Sequence, residues 1–163
     1  MNYLELVREY GEVRSEVKRL IDLFPGGVRE KILFDKWNLK DVIAHLSGWD
    51  IYDTMAVKAL LEGREPEWGG GVDEFNRTST EKRKDWSFEE VYAEFISVGE
   101  ELIRVSLDLP EECWEKKFWQ NREYTPKSML EIDIEHYRKE HLGELKGKLG
   151  LVQTGSDEGG FGL

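Results

Sequence analysis

Apolar residues recur along this chain at alternating steps of three and four, the mark of helices that bury one stripe. Tyr3, Leu6, Tyr10, Val13, Val17, Leu20 and Phe24 form the first stripe, which Pro25-Gly26-Gly27 closes. Asn38, a good N-cap, opens a second periodic stretch through Leu39, Val42, Leu46, Trp49, Tyr52, Met55, Ala56 and Ala59, which stops at Gly63. Ser87, with Glu90 three residues on, predicts a capping box for a third helix. Its stripe is Phe88, Val91, Phe95, Val98, Leu102, Val105 and Leu109, and Pro110 ends it. Thr125-Pro126 starts a fourth helix running to about Leu149, because proline at the first helical position gives up only a donor that has no partner there.

The connecting segments are polar. Residues 64 to 85, with Pro66 and Gly69-Gly70-Gly71, read as a long connection holding a short helix around Val72 to Thr78. The aromatic, charged stretch from Cys113 to Tyr124 reads as a turn or an extended link over one end of the core. No stretch alternates as a strand does. The expected architecture is therefore all-α: an antiparallel four-helix bundle whose long link between helices two and three allows a crossover. Residues 1 to 150 form that domain, and 151 to 163, rich in glycine and acids, read as a flexible tail.

Composition narrows the range of functions. Charged residues make up 35% of the chain, but six Trp, six Tyr and seven Phe supply the bulk for a packed core and exclude a disordered reading. A net charge of −11 repels polyanions, and the longest basic cluster, Lys82-Arg83-Lys84, is closed by Glu81 and Asp85, so no nucleic-acid partner is expected. No run approaches the roughly twenty apolar residues of a membrane helix, and the N-terminus carries Glu5 where a secretory signal would be apolar. Cys113 is the only cysteine, which excludes an intrachain disulfide and a thiolate cluster and fits a reducing, cytoplasmic setting. Its acidic flanks, Glu111, Glu112 and Glu115, argue against a reactive thiolate.

The candidate chemistry lies in polar residues on apolar faces. His45 falls between Val42 and Trp49 on the buried side of the second helix, where an imidazole needs a partner or a metal. On the fourth helix Leu130, Ile134, Tyr137, His141 and Leu145 lie within an arc of about 80° at 100° per residue. His45 and His141 thus point inward from two helices, with Tyr137 one turn below His141. A zinc, nickel or iron site is conceivable there, completed by Tyr137, Asp50, Asp53, Glu144 or Asp133. His136, five positions before His141, falls about 140° away on a regular helix and is expected to face solvent or a partner chain.

Two segments carry a family likeness. Trp37-Asn38-Leu39-Lys40-Asp41-Val42-Ile43-Ala44-His45-Leu46-Ser47-Gly48-Trp49-Asp50 and Glu135-His136-Tyr137-Arg138-Lys139-Glu140-His141-Leu142-Gly143-Glu144-Leu145 resemble the corresponding helices of the DinB/YfiT-like superfamily, in particular its ClbS/DfsB branch. The resemblance spans about residues 1 to 150. It implies a divalent metal held by one histidine of the second helix and two of the last, arranged as His-x-x-x-His, and a homodimer. It further implies a small-molecule substrate and a hydrolase or thiol-dependent transferase. Carried over, His45 matches the first ligand and His141 the last, while the middle position holds Tyr137, so His45, Tyr137 and His141 are the expected metal and catalytic residues. His136 takes the middle role only if the helix bends. Two other readings keep the same residues: a metal-free binding or self-resistance protein using His45, Tyr137 and His141 for proton transfer or ligand capture, and a structural dimer whose buried histidines satisfy one another.

Overall fold

A computed structural model describes residues 2–154. Every regular element among them is helical: α1 (Tyr3–Leu23), α2 (Leu39–Leu61), α3 (Val72–Lys82), α4 (Phe88–Leu107), α5 (Pro126–His136) and α6 (Leu142–Thr154). A single isolated bridge, Phe34 with Trp37, is the nearest thing to a strand.

Local chemistry sets the helix ends. Asn2 caps α1 by accepting from the Leu4 N–H, and Asn38 with Asp41, Ser87 with Glu90 and Thr125 with Ser128 close reciprocal capping boxes on α2, α4 and α5. Each cap satisfies donors that would otherwise be orphaned, worth about 1 kcal/mol apiece. The expected stripes are buried: Leu6, Tyr10, Val13, Val17 and Leu20 on α1, and Val91, Phe95, Leu102 and Val105 on α4, join one continuous apolar core with α2, α5 and α6. α2 is the central element, with buried residues around most of its circumference. It packs against α4 and α3, while α1 lies against α4, α5 and α6.

The connection after α2 is more ordered than its glycines suggest. α3 extends to Lys82, beyond the short helix expected, and seats against α2 where Gly48 leaves room: a Cβ there would lie 2.2 Å from Ser79 Oγ. Trp49 Nε1 donates to Asn76 Oδ1 at 2.8 Å, and the rings of Trp49, Trp68 and Phe75 pack together. At the other end of the chain the helix continues through Thr154, so residues 151 to 154 belong to it rather than to a tail; residues 155–163 of the expected tail lie outside the described residues.

One polar group ties three helices inside the core. Arg14 of α1 donates to Asp50 Oδ2 of α2 and to the Phe95 carbonyl of α4, both at 2.7 Å, and its guanidinium lies 4.0 Å from the Phe95 ring centre. Tyr10 donates to the other oxygen of Asp50. Gly99 makes the path possible, since a Cβ there would sit 1.9 Å from Arg14 Nη1. Burial raises the Asp50 carboxyl despite the pull of Arg14 and Tyr10 in the opposite direction, so desolvation outweighs the attraction.

Candidate metal centre

The fourth helix of the sequence reading is interrupted. Between α5 and α6, residues Tyr137–His141 form one turn of π-helix, in which the Leu142 N–H reaches back to the Tyr137 carbonyl, five residues earlier. On a regular helix five steps leave His136 and His141 about 140° apart. Widening the turn by one residue returns the fifth side chain over the first. The rings of His136 and His141 consequently meet edge to face with centroids 4.6 Å apart. His136 does not turn away to solvent as expected; it is half-buried and joins the site.

His45 completes the group from α2, its ring centroid 5.0 Å from that of His141. One ring nitrogen from each of His45, His136 and His141 lies within 4.8 Å of the others. Second contacts orient two of the rings. His45 Nδ1 bonds the Val42 carbonyl at 2.8 Å, which makes Nδ1 the protonated nitrogen and leaves Nε2 with a free lone pair. His136 Nδ1 lies 3.0 Å from Glu140 Oε2. Trp37 packs against His45 at 4.7 Å between centroids. His141 is 5% exposed, yet among the described residues neither of its nitrogens has a hydrogen-bond partner, and Glu144 Oε1 is 4.0 Å from Nδ1. A buried imidazole with both nitrogens unpartnered is costly unless something else engages it.

Electrostatics favour ligands that carry no proton. Burial pulls the His45 imidazole down to about 4, partly offset by the Val42 carbonyl. Burial, then the neighbouring His45 and His136, pulls His141 to about 3. Both are neutral at pH 7, the form that binds metals. Three nitrogens around a tetrahedral zinc stand about 3.3 Å apart, so no pair here needs to close by more than about 1.5 Å, within the reach of side-chain rotation. The donor set therefore fits a divalent ion of the zinc, nickel or iron class.

Of the other sequence candidates, Tyr137 and Glu144 adjoin the histidines and the three aspartates line a neighbouring cavity. Tyr137 is buried, its ring 5.9 Å from His141 and 6.0 Å from Tyr10. Burial and the nearby Asp50 push its phenol far above the usual range, so it stands as a neutral hydroxyl beside the Tyr10, Arg14 and Asp50 cluster. Asp50, Asp53 and Asp133 line a cavity of about 300 Å³, whereas Glu144 lines a cavity of about 260 Å³ over the three histidines. His136 and Asn76 border both cavities. Phe34, Asp35, Lys36 and Trp37 rim the second, and Asp35 holds a left-handed backbone at φ 59° in that turn.

Asn76, on α3, and Asp35, in the turn before α2, escaped the sequence reading because neither the short polar helix nor the turn carries an apolar stripe that points to a shared space. His136 escaped because a regular helix was assumed; the available signal was a His-x-x-x-x-His spacing one residue longer than helical pairs use. No significant match to this chain emerges from comparison with protein-family models, with curated proteins or with solved structures.

Proposed function

We propose that the helices form an antiparallel four-helix bundle of the DinB type, in which His45, His136 and His141 hold one divalent metal and serve a small-molecule enzyme of hydrolase or thiol-dependent transferase type. The observation that carries this reading is the convergence of three imidazole nitrogens within 4.8 Å, brought about by the π turn at Tyr137–His141. Such turns are uncommon and concentrate at functional sites. His136 takes the middle ligand role that the resemblance had left to Tyr137. A metal at this position supplies a Lewis acid that polarises a carbonyl or lowers the pKa of bound water or thiol. The chain's own residues do the rest: Val42 and Glu140 fix two imidazoles, Trp37 shields His45, and the adjoining cavities admit a small molecule.

Two results test this reading. Across a panel of activated esters, amides and thiol acceptors, zinc-, nickel- or iron-loaded protein is expected to turn over at least one substrate, with activity lost on chelation and restored by the ion. Turnover that survives full removal of the ion favours the metal-free reading. Deleting Lys139 probes the π turn: loss of one residue restores regular helical spacing, four apart, and keeps the two histidines on one face. Metal affinity is expected to stay within about tenfold, roughly 1.4 kcal/mol, of the parent. Abolished binding in a deletion variant of unchanged helix content contradicts the role given to the turn.

A further inference from the structure

The cavity of about 300 Å³ beside the histidines contains a second polar group of a different kind. Asp53 of α2 is 5% exposed, and its Oδ2 is sealed from water with no N–H or O–H donor among the described residues other than a proton shared with Asp133. Asp133 of α5 faces the same cavity; it is partly exposed as a residue, yet its Oδ2 is also sealed and has no other donor among the described residues. Arg14 donates to Asp50 and the Phe95 carbonyl, and among the described residues no Lys or Arg lines the cavity. Burial and mutual repulsion raise Asp53, and burial raises Asp133. The two carboxyls are within hydrogen-bonding reach of each other, so with no ligand bound they share a proton, which satisfies them with one hydrogen instead of a full counter-charge. Asp50, paired with Arg14, adds a third carboxylate, and Asn76 and His136 add polar groups; the apolar part of the wall includes Trp49 and Tyr124, with Val72 and Ile132 exposed at the same cavity.

We propose that this cavity binds a small organic cation, an amine or guanidinium on an aromatic or branched apolar body, with the cationic group against Asp53 and Asp133. A buried pair of acids without a basic partner is the charge pattern such a group completes, because its N–H donors replace the shared proton and supply the missing charge. The rings of Trp49 and Tyr124 suit a cation at their faces or an apolar body beside it. The volume accommodates a molecule at the small end of the range for ligand sites. Since His136 borders this cavity as well as the metal centre, the ligand's far end is placed to meet the histidines. In that last respect alone the inference rests on the enzymatic reading; the amine subsite stands on its own residues.

The test is calorimetric titration of the full chain with benzylamine and with benzyl alcohol, its neutral counterpart, in the presence and absence of zinc. Benzylamine is expected to bind about tenfold or more tightly than the alcohol. Asp53→Asn and Asp133→Asn, each checked for an intact helical spectrum, are expected to reduce that preference to about twofold or less. In His45→Ala, which disables the metal centre, the preference is expected to persist, so the subsite and the metal centre fail separately. Equal binding of both probes, no binding of either, or a preference that survives both asparagine variants overturns the proposal. So does displacement of benzylamine by magnesium alone, which would make the acids a cation site for an inorganic ion.

Discussion

Replacing His45 by alanine is expected to weaken zinc or nickel binding by at least about a hundredfold, because it removes the sole proposed ligand from α2. The variant should fold, since the truncated ring leaves a cavity at the edge of the site and removes a polar group rather than stranding one. His141→Ala and His136→Ala should each behave likewise, which distinguishes a three-ligand centre from one in which His136 is incidental. Protons should compete weakly. His45 and His141 gain protons only near about 4 and about 3, so affinity set by these two should change little between pH 7 and pH 5.5. The sign for stability follows from the same shifts. Folded histidines whose pKa is lowered contribute stability that is present above the ordinary value of 6.5 and lost as pH falls toward their folded values. Asp53 and Asp133, raised in the fold, act in the opposite direction: their contribution is present below the ordinary carboxylate range and is lost as pH rises. Chemical denaturation in metal-free buffer across pH 5 to 8 measures both slopes, and Asp133→Asn should flatten only the second.

The largest loss of stability is expected from Arg14→Ala. The guanidinium is 7% exposed as a residue and neutralises Asp50, which is 2% exposed. Removing it strands a carboxylate among Tyr10, Tyr137 and Phe95 and opens a void where the side chain crossed Gly99. Breaking a buried pair on one side costs about 3–5 kcal/mol. Because desolvation already outweighs attraction at Asp50, the paired replacement Arg14→Met with Asp50→Leu is expected to recover most of that loss. Thermal and urea denaturation of the two variants check it. A single variant as destabilised as the double one would mean that packing, not charge, dominates.

What could be read from the sequence depended on what repeats. Stripes such as Leu6, Tyr10, Val13 and Val17 report a helix face directly, and the caps at Asn38, Ser87 and Thr125 mark starts through local hydrogen bonds, so all-helical architecture and most boundaries were legible. His45 and His141 followed from the same periodicity. The π turn did not, because nothing in Tyr137-Arg138-Lys139-Glu140 marks a widened turn; it becomes visible only when His136 and His141 are set five apart against a face that must contain both. Arg14 appears in sequence as one more charge on an amphipathic helix, and its burial depends on Gly99, which lies 85 positions further on. Asp53 and Asp133 were named as separate candidates, but their proximity is tertiary and no spacing encodes it.

The most direct measurement is the metal content and affinity of tag-free protein, determined by elemental analysis after equilibration with zinc, nickel and iron and by titration against a competing chelator. One ion per chain, absent from His45→Ala, is the predicted result. No retained ion in the parent protein under any of the three conditions, with the fold intact, contradicts the centre built by His45, His136 and His141.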